Sequence, residues 1–121
     1  YLSIAELTPI TKATLTDPEV LRRELNAIRS GALACSHEEL HEGITAVASP
    51  VFDLYGHVVA SIVLPVLTVR FTPEKEKKAE EILRRASIEL SHQLGFDTGP
   101  DAIYAKNRKP AGEIPRKQIL L

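Results

Sequence analysis

The chain has 121 residues, of which 44% are hydrophobic and 26% are charged, and its formal net charge is −1. This composition predicts one modest globular domain, and the lack of excess positive charge argues against nucleic-acid binding by this segment alone, because phosphate binding depends on clustered Lys and Arg. No stretch has the length and polarity of a membrane span or a signal peptide, and Cys35 is the only cysteine, so a reduced, cytoplasmic compartment is expected. The chain starts at Tyr1 and lacks Met, which predicts a cut or processed piece.

The first predicted element is a helix from about Pro18 to Ser30. Thr16 and Glu19 have the spacing of a capping box, and Pro18 suits the first turn, where its missing N–H removes no hydrogen bond. Gly31 favours the left-handed conformation that often follows a helix. Three apolar residues at helical spacing predict a face that belongs to the core: Leu21, Leu25 and Ile28.

Two short apolar segments follow this helix. The run 32–35 is compatible with a strand, and an acidic turn separates it from a strand over residues 44–52, with Gly43 between them. Pro50 lies near the end of this second strand. Because proline cannot donate to a sheet ladder, Pro50 predicts an edge, a bulge or a bend.

A tight hairpin is predicted over Asp53–Gly56, because glycine accepts the positive φ that such turns require. A strand rich in Val and Ile returns over residues 57–64. Pro65 is expected to interrupt it before a further apolar segment at 67–71.

The second predicted helix runs from about Pro73 to Leu94, with Thr72 as its cap and Gly95 as its stop signal. Its apolar stripe is predicted from helical spacing: Ala79, Leu83, Ala86, Leu90 and Leu94. Beyond it, Gly and Pro interrupt a polar sequence. We therefore expect residues 1–95 to be one part of a domain and residues 96–121 to be an irregular tail.

One segment matches a catalytic motif in its letters. His37–His41 has the H-E-x-x-H pattern of zinc-dependent hydrolases, in which two histidines on one helical face bind the metal. The motif needs a regular helix on both sides, whereas an apolar run precedes this segment and Gly43 ends it, and a third ligand is not identifiable. The favoured interpretation is a polar turn, with a zinc hydrolase as the alternative. Cys35 lies in an apolar setting and is interpreted as a structural thiol.

A set of residues in fixed order carries a family resemblance: Thr11, Thr14, Glu39, Gly43, Ala48, Pro50, Val51, Asp53, Gly56, Leu94 and Gly95. Together with the capped helix, their spacing resembles the effector-binding half of IclR-type transcription regulators over residues 8–95. The resemblance implies the α+β class, with a GAF-like antiparallel sheet flanked by helices. It also implies that about the first half of that domain, and the winged helix-turn-helix before it, are missing here.

The resemblance further implies a site for a small-molecule effector, formed by Ser36, Ala46, Val63 and Pro65. Family members commonly have an aspartate in place of Ser36, some have a cysteine in place of Ala46, and small-acid sensors have hydroxyls in place of the other two. The lining here is less polar, so we expect an effector with an apolar body. The open alternative is that these four residues only fill the packed face of the sheet.

The expected protein is therefore a regulator without catalysis, cofactor or metal, which binds DNA only through the missing N-terminal domain and forms a homodimer or homotetramer. Besides the zinc hydrolase, a purely structural dimerisation module remains as an alternative.

Overall fold

The computed structural model describes residues 6–97. Their elements follow one another along the chain as α1 (Pro18–Arg29), β1 (Ala34–His37), β2 (Ile44–Phe52), β3 (Val58–Leu67), a 3₁₀ helix (Thr68–Arg70) and α2 (Pro73–Gln93). The strands form one antiparallel sheet in the order β1-β2-β3, so the predicted α+β class with an antiparallel sheet is confirmed. The tail predicted to be irregular lies outside the described residues from position 98 onward. Within residues 6–97, neither helix combines the length and the apolar character that a membrane span requires.

The N-terminal cap of α1 is Asp17, one residue later than the predicted cap at Thr16. The Asp17 carboxylate accepts hydrogen bonds from the backbone N–H groups of Glu19 at 2.8 Å and of Val20 at 3.4 Å. Because Asp17 directly precedes the first helical residue, its short side chain reaches these unpaired N–H groups. At the other end, Gly31 has φ +99°, which confirms the predicted left-handed stop.

The apolar face of α1 was predicted to be core, and this prediction is wrong for the part of the chain that is described. Leu21 and Ile28 are only half-buried, Leu25 is 38% exposed, and no residue of α1 is fully buried. The helix that packs on β2 and β3 is α2. Periodicity identified an apolar face on α1, but it does not say which helix covers the sheet.

The core lies between β2 and α2. Side chains of β2 alternate between buried and half-buried along the strand, and the buried set is Thr45, Val47, Ser49 and Val51. Val47 and Val51 form the core with Ala79 and Leu83 of α2. Because successive side chains of a strand point to opposite faces, the other residues of β2 lie on the face that points away from α2.

Pro50 occupies a position where β2 has only one neighbour in the described sheet. The pairing of β1 with β2 ends at Ala34 opposite Ala48, and the register of β2 with β3 shifts between Val51 and Phe52. The predicted edge at Pro50 is therefore confirmed, whereas the extra residue at the register shift, Val59, belongs to β3.

Pro65 was predicted to interrupt the following strand, but β3 continues through it to Leu67. In the described part of the sheet β3 is an edge strand, with β2 on one side. Proline is compatible with such a strand when the position of its missing N–H faces away from the neighbour. The 3₁₀ helix, Thr68–Arg70, then occupies three of the five residues of the predicted apolar segment 67–71.

The hairpin between β2 and β3 forms as predicted. Gly56 has φ +80°, and the Asp53 carboxylate accepts hydrogen bonds from the backbone N–H groups of Tyr55 and His57, both at 2.9 Å. These bonds close the turn, because an Asp side chain replaces part of the backbone hydrogen bonding there.

The ends of α2 also agree with the sequence, since Thr72 caps it and Gly95 follows it with φ +85°. Its buried stripe differs in the second half: Ala79 and Leu83 are buried as predicted, but the next buried residues are Ser87 and Ser91. The predicted members of that half are not buried, namely Ala86, Leu90 and Leu94.

The two buried serines are fully satisfied by hydrogen bonds, which explains their place in the core. The Ser87 hydroxyl donates to the backbone carbonyl of Pro50. The Ser91 hydroxyl donates to the Ser87 carbonyl at 2.7 Å and accepts from the backbone N–H of Phe52 at 3.0 Å. Sequence patterning missed them because serine is counted as polar, although its small side chain lets a helix approach a strand closely.

Candidate functional site

The structure places all four sequence-predicted site residues on one face of the sheet. Ser36 of β1 lies directly opposite Ala46 of β2, and Ala46 lies directly opposite Pro65 of β3. Directly opposite residues of an antiparallel pair point to the same face. Val63 is two residues before Pro65 on the same strand, so it shares that face. The sequence had indicated these residues separately, and the pairing brings them together.

We call this surface the open face, because α2 packs on the opposite side of the sheet. It comprises alternate residues of the three strands: Ala34, Ser36, Ile44, Ala46, Ala48, Pro50, Ser61, Val63, Pro65 and Leu67. Ser36 and Ala46 are half-buried, whereas Val63 and Leu67 are 52% and 50% exposed. The open face is therefore mostly apolar. Its central row crosses the three strands through Ser36, Ala46 and Pro65, and the Ser36 hydroxyl lies at one end of that row.

Such a surface is able to seat an apolar body and to offer one hydrogen bond from Ser36. The open face as described holds no acid and base pair and no activated nucleophile.

Two threonines before α1 hold the turn that follows Ser36. The Thr11 hydroxyl donates to the backbone carbonyl of Glu38 at 2.6 Å, and the Thr14 hydroxyl donates to that of Glu39 at 2.6 Å. Both threonines belong to the family pattern, but the resemblance implied no role for either of them. No local signal predicts contacts between residues that are 27 and 25 positions apart in the sequence.

The H-E-x-x-H segment is not helical. His37 is the last residue of β1, Glu38 has φ +57°, and residues 39–43 form a turn, which confirms the interpretation as a polar turn. A helix is what would place His37 and His41 side by side on one face. Between residues 6 and 97 no group of three or more His, Cys, Asp and Glu side chains is arranged to hold a metal ion.

Cys35 lies on the side of the sheet that α2 covers. Its Sγ atom is 3.3 Å from Nε2 of His37, whose Nδ1 atom is 3.3 Å from the hydroxyl of Thr45. Burial, followed by the negative charges of Glu76, Glu24 and Glu39, raises the pKa of the Cys35 thiol to about 11. The thiol is thus protonated at neutral pH, as expected of a structural rather than a reactive cysteine.

Glu24 of α1 belongs to the same neighbourhood. Burial raises its pKa first, the charge of Glu39 raises it further, and His37 partly opposes both effects. The charges of carboxylates on α1, the turn and α2 therefore add to burial in disfavouring the anionic form of the thiol.

A shallow depression lies at the other end of the sheet, between the hairpin and the end of α2. It has a volume of about 390 Å³ and is lined by Leu54, Tyr55, Gly56, Gly95, Phe96 and Asp97. None of the four predicted site residues lines it. The rings of Phe52 and Phe96 stack beside it with their centroids 5.2 Å apart, so it is part of the packing that joins α2 to the hairpin.

Comparisons with known proteins agree with this architecture. The family model described as "Bacterial transcriptional regulator IclR C-terminal" matches residues 1–92. The DNA-binding transcriptional repressor YiaJ of Escherichia coli (strain K12) is 32% identical over 96 residues, which are 79% of this chain and 34% of that protein.

Solved structures give the same result. The crystal structure of the Thermotoga maritima IclR superposes with a TM-score of 0.72 at 39% identity, covering 78% of this chain and 38% of that one. The inducer-binding domain of the PobR transcription factor from Acinetobacter, a double mutant in complex with 3-hydroxybenzoic acid, gives a TM-score of 0.68 at 27% identity, covering 74% of this chain and 52% of that one.

The relatives are regulators, so the zinc-hydrolase alternative is not favoured. The chain spans about a third of the length of the curated relatives that it matches. The matched residues include every helix and strand except the last residue of α2. The chain therefore belongs to the IclR C-terminal family of bacterial transcriptional regulators.

Proposed function

We propose that this chain is part of the effector-binding domain of a transcriptional regulator, and that the open face forms one wall of the effector site. The observation that carries the proposal is the common face of Ser36, Ala46, Val63 and Pro65. α2 leaves this face open and packs on the other one. A surface that mixes apolar area with a few convergent polar groups is typical of small-molecule sites.

The residues of the open face favour a ligand with an apolar body. Ala46, Val63 and Pro65 offer apolar surface, and burying it contributes in proportion to its area. Ser36 provides a hydroxyl at the end of the central row, which suits the polar end of the same ligand. The 3-hydroxybenzoic acid bound to the PobR domain has this kind of structure, with a ring and a carboxylate.

The proposed protein regulates rather than catalyses. The effector changes the balance between two arrangements of the subunits by as much as its affinities for the two arrangements differ. DNA binding is supplied by another part of the protein. We propose a homodimer or homotetramer in the cytoplasm, in which each subunit carries one such site.

The intact protein, with all of its chain, provides the test. Native mass spectrometry after gentle purification shows whether a small molecule accompanies it, and calorimetry compares 3-hydroxybenzoate with acetate and propionate. We expect the aromatic acid to bind at least ten times more tightly than the two short acids. Equal or tighter binding of the short acids would overturn the ligand class. If no small molecule is carried or bound, the sensor function itself is wrong.

A further inference from the structure

The turn between β1 and β2 is fastened to the segment before α1 by side-chain hydroxyls. Thr11 and Thr14 donate to the carbonyls of Glu38 and Glu39, each over 2.6 Å. The Thr14 oxygen also accepts from the backbone N–H groups of Thr11 at 2.8 Å and Ile10 at 3.0 Å. We call this pair of threonines, with the two carbonyls that they bind, the threonine clasp.

The turn that the clasp holds has a conformation that the sequence does not favour locally. Glu38 is the only residue other than glycine with a positive φ in the described range 6–97. Such a conformation persists when the surrounding structure determines it. Beyond the clasp, the Glu38 N–H donates to the Ile44 carbonyl at 2.9 Å, and the Gly43 carbonyl accepts from Thr68 at 2.8 Å. The turn is thus held from several sides.

This turn connects the two residues at one end of the central row of the open face. Ser36 lies two residues before Glu38, and Ala46 lies two residues after Ile44. β1 is only four residues long and pairs with β2 alone in the described sheet, so few ladder bonds fix its position. The placement of the Ser36 hydroxyl therefore depends on the turn as well as on the strand.

We propose that Thr11 and Thr14 are positioning residues for the effector site: their hydroxyls fix the β1–β2 turn and thereby hold Ser36 in line with Ala46. This inference rests on the proposed function, because it assigns the clasp to the same site. It adds two residues that do not lie on the open face. It also couples the segment before α1 to the effector. An effector that displaces Ser36 and the turn would stretch the two hydrogen bonds that Thr11 and Thr14 donate.

The first experiment measures the turn directly and needs no effector. In the intact protein, Thr11→Val and Thr14→Val remove the hydroxyl while keeping the branched shape. Thr11→Ser and Thr14→Ser keep the hydroxyl and remove only the methyl group. Thr16→Val is the matched control, an exposed threonine outside the clasp. We expect amide hydrogen exchange across residues 38–44 to become about tenfold faster or more in the valine variants, with α2 unchanged, because losing the clasp lets this turn open locally. The serine variants and the control should exchange as the unmodified protein does.

The second experiment measures binding with 3-hydroxybenzoate as the probe. We expect its Kd to rise about tenfold in the valine variants and to return in the serine variants, since a merely structural loss would not follow the hydroxyl in this way. Unchanged exchange across the turn would overturn the positioning role. Faster exchange with an unchanged Kd would overturn the link to the site while leaving the proposed function intact. If the unmodified protein does not bind the probe, the proposed ligand class is wrong, and so is the link between the clasp and the site for that ligand. The exchange result still decides whether the clasp fixes the turn. Should one valine variant lose its overall fold, the other and the serine variants give the comparison.

Discussion

The backbone N–H of Phe52 donates a 3.0 Å hydrogen bond to the hydroxyl oxygen of Ser91, 39 positions further along the chain. Phe52 ends β2 at the register shift, where β1 no longer runs alongside. The helix thus supplies a hydrogen-bond partner at the end of β2, where β1 no longer lies beside the strand and β3 is its one neighbour in the described sheet. Ser87 does the same for the carbonyl of Pro50, so α2 completes the hydrogen bonding of the end of β2 as well as covering it.

Ser91→Ala tests this contribution to stability. The substitution leaves the Phe52 N–H without its acceptor, and an unpaired polar group in a largely buried place costs about 1–3 kcal/mol. We expect the free energy of unfolding of the intact protein, measured by urea denaturation, to fall by that amount. Ser61→Ala, at an exposed serine on β3, is the control and should change it by about 0.5 kcal/mol or less. Equal effects of the two substitutions would contradict the role of Ser91.

Ala46→Leu tests the proposed effector site. A larger side chain at the centre of the row fills the space above the open face, so binding of 3-hydroxybenzoate should weaken at least tenfold, while overpacking lowers stability by only about 1–3 kcal/mol. Ala60→Leu, at an exposed alanine of β3 that lies off this face, is the control and should bind normally. If Ala46→Leu binds the probe as tightly as the unmodified protein, these strands do not line the site.

The Cys35 thiol should react slowly and should make stability depend on alkaline pH. A rise in its pKa from 9.0 to about 11 lowers the thiolate fraction at pH 8 about a hundredfold, and alkylation by iodoacetamide should slow accordingly.

The sign of the stability effect follows from the same shift. The unfolded thiol ionises near 9.0 and the folded one near 11, so the contribution of Cys35 is complete below the first pH and is lost as the pH rises through the second. We expect the unfolding free energy of the unmodified protein to fall over this interval relative to that of Cys35→Ala. A constant difference between the two proteins would contradict the assigned pKa.

The H-E-x-x-H segment should not form a zinc site. Because it ends a strand and enters a turn, the double variant His37→Ala and His41→Ala should fold, and metal analysis of the purified intact protein should give less than one equivalent of zinc. His92→Ala, at an exposed histidine on α2, is the reference for nonspecific binding. One equivalent of zinc that disappears in the double variant together with stability would restore the hydrolase alternative.

Exposed apolar side chains on β3 predict association. Val59 is 54% exposed, and Val63 and Leu67 are exposed to a similar degree, so this edge strand offers surface that a second chain or another segment of the protein would cover. Sedimentation of the 121-residue chain should show species larger than a monomer, and Val59→Glu should shift them toward the monomer. Val69→Glu, at a more exposed valine on the 3₁₀ helix, should not. A compact, stable monomer would contradict the prediction.

The parts of the fold that local chemistry determines could be predicted from the sequence. These parts depend on residues only a few positions apart in the sequence. They are the two helix ends marked by glycine, the hairpin at Asp53 and the edge at Pro50. The errors concern relations between distant elements. Whether α1 or α2 covers the sheet decides that Leu25 is exposed and that Ser91 is buried, and periodicity within one helix contains no information about that choice.

The site shows the same division. The family resemblance predicted four site residues: Ser36, Ala46, Val63 and Pro65. The strand pairing then explains why they share a face. The threonine clasp could not be predicted from the sequence. Its acceptors are backbone carbonyls, which every residue has, so the side chains near them do not indicate the contact.

The alternation along β2 has a consequence for how the protein tolerates sequence change. From Ile44 to Val51, the odd-numbered side chains are buried on the side that α2 covers, and the even-numbered ones lie on the open face. The strand therefore holds two interleaved sets of positions in different surroundings. In a scan of every substitution from Ile44 to Val51, changes at the odd positions should lower protein abundance in the cell. Changes at the even positions should alter the response to the effector. Natural variants able to accept new effectors would then change the even positions while the odd ones stay constant, which lets a regulator acquire a new signal without rebuilding its core.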